Sequence, residues 1–344
     1  MNIKYLVRKN IQEMQPYSSA RDEFKGEASV YLDANENPYN APYNRYPDPL
    51  QWKVKEKISE IKGVTPECIF LGVGSDEPID LMIRVFCEPH VDNIVLPDPT
   101  YGMYHVAAEV NAVEYRCVEP DENFDIQADK ILKACDDHTK LIFLCSPNNP
   151  TGNSLNRDEV IKVIENFPGI VVLDEAYIDF SSQESLTKKL SDYPNPVILQ
   201  TFSKAWGMAA VRLGMAFAAK EIIAVLNKIK YPYNINMLTQ EYVLKALDKH
   251  QDVKKRVKEL LAEREKLAAD LSLLKCVTKV YPSDANFILV KTVDADNIYR
   301  YLLNRGIVVR NRNNAALCSD CLRITVGTAA ENKILIEALK NYPG

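Results

Sequence analysis

Between residues 93 and 218, short apolar runs alternate with stretches of helical periodicity, and few folds accept that pattern. The runs are "NIVLP" 93–97, "AVEYRCV" 112–118, "LIFLCS" 141–146, "IVVLDEA" 170–176, "VILQTFS" 197–203 and "VRLGMAFA" 211–218. Most are continuous in Val, Ile and Leu, as strands are when both faces are covered. Between them, "NRDEVIKVIENF" 156–167 spaces its apolar residues as a helix does, with Asn156 as N-cap and acids in the first turn. The pattern predicts an α/β fold with a mostly parallel sheet flanked by helices. An earlier helix, 52–62, keeps Trp52, Val54, Ile58 and Ile61 on one side and stops at Gly63.

A long helical pattern over 237–274 then leads to a different rhythm. "VTKVY", "NFILV", "GIVVR" and "LRITV" read as strands, with helices at about 294–305 and 329–341, forming a smaller α/β domain. The expected division is an N-terminal arm over 1–30 joined to the small domain, a large domain over 31–240 and a small C-terminal domain over 241–344.

Charge and cysteine usage narrow the function classes. At −5 net charge over 344 residues, nothing suggests a nucleic-acid partner. Lysines cluster at 245–266, but acids alternate with them at helical spacing, which reads as a solvated face. Eight cysteines are scattered singly, as reduced thiols of a cytoplasmic protein are. Cys318 and Cys321 form a CxxC with no second pair to complete a metal site, so no metal is expected. The first residues lack a signal-peptide core and no apolar run approaches membrane length, so no membrane partner is expected.

In open α/β sheets, ligands sit beyond the carboxyl ends of the strands. The polar residues that follow the strands here form an ordered set. "LGVGSDEPIDLMIR" contributes Ser75 and Asp76 at a helix start, "LPDPTYGMY" Tyr101, and "CSPNNPTGN" Asn149. "VVLDEAY" adds Asp174 and Tyr177, and "TFSKAW" adds Ser203 and Lys204, with Arg212 beyond. Singly, each has an ordinary structural explanation. Together they suit an aromatic aldehyde phosphate: Lys204 to condense with the aldehyde, Asp174 to pair with a pyridinium nitrogen, and Asn149 and Tyr177 to hydrogen-bond a ring hydroxyl. Tyr101 would stack on the ring. The backbone N–H groups at Ser75 and Asp76, with Ser203 and Arg212, would take the phosphate.

This set resembles the fold-type-I aminotransferases that depend on pyridoxal 5'-phosphate, and more narrowly the branch acting on histidinol phosphate. The narrower likeness rests on "YLDANENPYN" 31–40, "RYPDP" 45–49, "GVGSDEPIDLMIR" 72–84, "PTYGMY" 99–104, "SPNNPTGN" 146–153, "VVLDEAYIDF" 171–180, "TFSKAWGMAAVRLG" 201–214 and "LRITVGT" 322–328. The resemblance spans nearly the whole chain. It implies Lys204, Asp174 and Tyr177 as catalytic residues, and Ser75, Asp76, Tyr101, Asn149, Ser203 and Arg212 around the cofactor. It also implies that Tyr46 reaches the cofactor phosphate of a neighbouring subunit, in a homodimer with shared sites. Tyr17, Asn149, Arg310 and Arg323 are implied in binding the substrates: glutamate, 2-oxoglutarate and histidinol phosphate. Arg21 is a reserve candidate for the substrate phosphate. Aromatic amino-acid aminotransferases and threonine-phosphate decarboxylases share much of the set, and a non-catalytic binding protein on the same fold is the reading from another class.

Overall fold

The computed structural model describes residues 3–17 and 28–343. Seven strands build the larger sheet: β1 Ile69–Val73, β2 Asn93–Pro97, β3 Glu114–Val118, β4 Thr139–Cys145, β5 Ile170–Asp174, β6 Pro196–Thr201 and β7 Leu213–Phe217. Their order is β1-β7-β6-β5-β4-β2-β3. The β2, β3, β4, β5 and β6 contacts are parallel, whereas β7 runs antiparallel to both β1 and β6. The mostly parallel sheet expected from the apolar runs is therefore present, with one reversed strand.

Those runs are continuous because the sheet is covered twice. In β4, Ile142 and Leu144 enter a core with Leu71, Leu173 and Ile198, while Leu141 and Phe143 enter another with Phe70, Val172 and Leu199. Successive side chains on a strand point to opposite faces, so both faces of β4 are apolar. Helices supply the covering layers. Val160, Val163 and Ile164 of helix Arg157–Asn166 pack on the first face, and Ile79, Met82 and Ile83 of helix Asp76–Phe86 on the second. Asn156 caps its helix as expected, accepting hydrogen bonds from the N–H groups of Asp158 and Glu159.

A second sheet of four antiparallel strands follows: β8 Val277–Val280, β9 Phe287–Thr292, β10 Arg310–Asn311 and β11 Cys321–Thr325, in the order β10-β11-β9-β8. It has its own core, with Ile288, Val290, Leu322 and Ile324 against Ile298, Leu302 and Ile336 of two helices. Two sequence expectations change here. Of "GIVVR" only its last residue, Arg310, enters the strand, which continues to Asn311, and Val308 is left 77% exposed. The helical stretch over 237–274 divides into Met237–Leu247 and His250–Ser272. The lysine-rich face of the second is solvated, because only its Val253, Val257, Leu267 and Leu271 are buried.

Candidate active site

The carboxyl ends of β1, β4, β5 and β6 open into one cavity of about 440 Å³. Gly74, Ser75 and Asp76 line it after β1, Cys145 and Asn149 after β4, Asp174 and Tyr177 after β5, and Thr201, Ser203 and Lys204 after β6. Tyr101 and Arg212 complete that side, and Arg310, Arg312 and Arg323 of the second sheet face them. Nine of the residues that the sequence singled out are therefore gathered in one place, along with Arg310 and Arg323.

Asp174 ends β5 at the cavity floor, and its side chain is sealed from solvent. The Tyr104 hydroxyl donates to its Oδ2 at 2.8 Å and the Ala176 N–H to its Oδ1 at 3.0 Å. Burial nevertheless pushes its carboxyl up to about 6, against the pull of these donors. Such a carboxylate lacks a cation of its own in the sheet and suits a ligand that brings one.

Lys204 lies in the turn after β6, where Ser203 N–H donates to Thr201 Oγ1 and Gly207 N–H to Lys204 O. Its Nζ stands 5.4 Å from the centre of the Tyr177 ring. Burial, then the nearby Arg323 guanidinium, lowers its pKa below the ordinary lysine value, which favours the neutral, nucleophilic amine. Burial raises the Tyr177 phenol, so that hydroxyl stays protonated and able to donate.

At the rim by β1, Arg212 pairs with Asp76 at 3.4 Å, and Tyr101 donates to the other oxygen of Asp76 at 3.0 Å. The Arg212 backbone is left-handed, with φ 55°, a conformation rare for a side-chain-bearing residue and frequent at functional sites. Beside it the Gly74–Ser75 turn lies directly on β7. A Cβ on Gly214 would sit 2.3 Å from the Gly74 carbonyl carbon and 2.4 Å from Ser75 N, and one on Gly74 2.7 Å from Arg212 Nη2. The turn opens helix Asp76–Phe86, whose first N–H groups and positive dipole end favour an anion.

Across the cavity, Arg323 donates to the side-chain oxygen of Asn149. Asn149 is held by its neighbour: Asn148 Nδ2 donates to Pro99 O and Thr151 Oγ1, and Asn148 Oδ1 accepts from Thr100. This lattice ties the loop after β4 to the loop after β2.

Two expected residues lie outside this chain's cavity. Tyr46 stacks on Tyr233, ring centroids 4.4 Å apart, in a separate surface hollow with Asn35, Glu36 and Leu238. Glu36 organises that hollow, accepting from Arg45 Nη1 at 2.6 Å and from Tyr46 N–H at 2.7 Å, so "DANENP" and "RYPDP" form one unit. Tyr17 is 71% exposed and does not line the cavity, and Arg21 lies outside the described residues. Conversely, sequence reasoning missed Tyr104 and Arg312. Tyr104 reads as an apolar helix position. Arg312 carries a usable signal, since it stands two residues from Arg310, the period of a strand face.

The family model for aminotransferase class I and II matches residues 28–339. The chain is 58% identical over 343 residues to the histidinol-phosphate aminotransferase of Bacteroides thetaiotaomicron, covering 99% of each. It is 59% identical over 340 residues to the protein of that name from Parabacteroides distasonis, again covering 99% of each. Among solved structures, that of histidinol-phosphate aminotransferase from Sinorhizobium meliloti in complex with pyridoxal-5'-phosphate superposes with a TM-score of 0.77 at 24% identity. It covers 89% of this chain and 88% of that one.

Proposed function

From the premise that this chain belongs to the class I and II aminotransferases, enzymes that work with pyridoxal phosphate, we propose that it acts on histidinol phosphate. The reaction moves an amino group reversibly between glutamate and 2-oxoglutarate on one side and histidinol phosphate and imidazole acetol phosphate on the other, a step of histidine biosynthesis. The observation that carries this reading is one cavity that brings together Lys204, the buried Asp174 and the Arg323–Asn149 pair.

The residues present fit the cofactor. The Gly74–Ser75 turn, packed where a Gly214 Cβ would intrude and pinned by the Gly74 N–H donating to Arg212 O, leaves room for a phosphate at the start of helix Asp76–Phe86 beside Ser203 and Arg212. Asp174, without a cation of its own, suits a protonated ring nitrogen, Asn149 and Tyr177 a ring oxygen, and Tyr101 a ring face. When bound, pyridoxal phosphate supplies an aldehyde to accept the amino group and a ring that stabilises negative charge at the reacting carbon.

The chain's own residues do the rest. Lys204 Nζ, drawn toward neutrality by burial and Arg323, would take the proton from the amine-bearing carbon of the substrate and hand it to the carbonyl carbon that receives the amino group. Asp174 keeps its negative charge opposite a cation, and Tyr177 donates a hydrogen bond through a phenol that burial keeps protonated. Arg323, steadied by Asn149, presents a planar fork that suits a carboxylate or a phosphate. One site can thus accept glutamate and a substrate whose reacting carbon bears no carboxylate.

The working unit in this reading is a homodimer in which Tyr46, half exposed in a surface hollow apart from its own chain's cavity, serves the neighbouring subunit's cofactor phosphate. All eight cysteines are free thiols, which suits a reducing cytoplasm. The test is a donor panel on the purified protein. Histidinol phosphate turnover that depends on 2-oxoglutarate is expected, with borohydride fixing the cofactor on Lys204. Carbon dioxide release from threonine phosphate, turnover of aromatic amino acids alone, or a label on another lysine would overturn the reading.

A further inference from the structure

Arg312 has no part in the chemistry described so far, yet it lines the same cavity. Its position follows from the second sheet. Arg310 is registered opposite Arg323 across the β10–β11 ladder, and the Arg312 N–H extends that ladder by donating to Cys321 O at 2.9 Å. Side chains two residues apart on a strand share a face. Arg310, Arg312 and Arg323 therefore share the sheet face turned toward Lys204.

Among the described residues, no carboxylate pairs with these three guanidinium groups. The acids that line the cavity are Asp76, paired with Arg212, and Asp174, held by Tyr104 and the Ala176 N–H. The Nε of Arg312 is buried without a hydrogen-bond partner among the described residues. A buried donor left unpaired is costly, and three cations on one face repel one another. Burial, then Arg323 and Arg310, accordingly draws the Arg312 pKa down. A bound carboxylate would bring one negative charge to this face, whereas a phosphomonoester brings close to two and three acceptor oxygens.

We propose that Arg312 is a specificity-determining residue, which with Arg310 forms the seat of a phosphomonoester dianion at the far end of the substrate. Arg323, committed to Asn149, serves both substrates. Arg312 is the group that only the phosphorylated one uses fully. The inference rests on the reading of the cavity as an amino-transfer site.

The test compares wild-type holoenzyme with Arg312→Gln and Arg312→Lys in separate half-reactions, followed by the cofactor's absorption. Loss of a hydrogen bond to a charged group corresponds to about 10–100-fold in binding. Arg312→Gln should lower kcat/KM for histidinol phosphate by that factor, mainly through KM, and at least about tenfold more than for glutamate. Arg312→Lys should recover part of the loss. Inorganic phosphate, used as a competitive inhibitor of the glutamate half-reaction, should bind correspondingly more weakly to Arg312→Gln. Equal losses in both half-reactions, a loss confined to glutamate, or unchanged phosphate inhibition would overturn the proposal. If wild type refuses histidinol phosphate while phosphate inhibition still depends on Arg312, the substrate reading fails and the phosphate seat stands.

Discussion

Replacing Asp174 with Asn should make the cofactor-free protein more stable at neutral pH while disabling the loaded enzyme. The carboxyl is sealed from solvent, and burial raises its pKa from 3.8 to about 6. At about 1.4 kcal/mol per pH unit, keeping the ionised form folded costs about 3 kcal/mol. Between pH 3.8 and 6 the unfolded chain has released this proton and the native chain still holds it. The native state therefore loses stability as pH rises through that window, and the loss levels off above it. An Asn of similar shape can still accept from the Ala176 N–H and face the Tyr104 hydroxyl, and it does not ionise.

Urea unfolding of both cofactor-free proteins, at one protein concentration, reads the difference. The variant should match wild type near pH 4 and exceed it by up to about 3 kcal/mol at pH 8. In the loaded enzyme the same change removes the counter-charge for the ring nitrogen, and turnover should fall by several orders of magnitude. A stability difference independent of pH, or one larger at pH 4 than at pH 8, would refute the argument. Near-normal turnover would make Asp174 a structural residue only.

Two further outcomes test the phosphate end and the dimer. Gly214→Ala should weaken pyridoxal phosphate binding about tenfold or more, because its Cβ meets backbone at Gly74 and Ser75, and displacing that turn costs about 1–3 kcal/mol. Wild-type affinity by fluorescence titration would show that the turn does not hold the phosphate. Co-refolding equal amounts of Lys204→Ala and Tyr46→Ala should recover up to about a quarter of wild-type activity, since half the dimers are mixed and each has one intact site of two. The residual activity of Tyr46→Ala alone is subtracted. No recovery from demonstrably mixed dimers would confine Tyr46 to its own chain or to no site.

The sheet and much of the cavity were legible before any coordinates. Burial on both faces leaves its mark in composition, so runs such as "LIFLC" announce covered strands, and a parallel sheet brings their carboxyl ends to one edge. Polar residues that follow those runs, from Ser75 to Lys204, converge for that reason. Local chemistry was equally readable where it depends on near neighbours, as at the Asn156 cap and the left-handed Gly63 that ends its helix.

What packing decided was different in kind. The hydroxyl of Tyr104 reaches Asp174 across 70 positions, and nothing local distinguishes that tyrosine from a core aromatic. Lys55, on an otherwise apolar helix side, is 2% exposed, and its burial pulls its pKa to about 8. The reversal of β7 and the shortness of β10 depend on which edges find partners, and apolar content alone does not encode pairing. The arginine face is the clearest case. Residues 310 and 312 declare a common side by strand period, but Arg323 joins them only through the register of two strands, and the cavity exists only because the second sheet faces the first. Residue types and short-range spacing thus determined the layers and the chemistry on offer. Long-range register and burial, which sum over many weak contacts, decided which groups meet and with what charge.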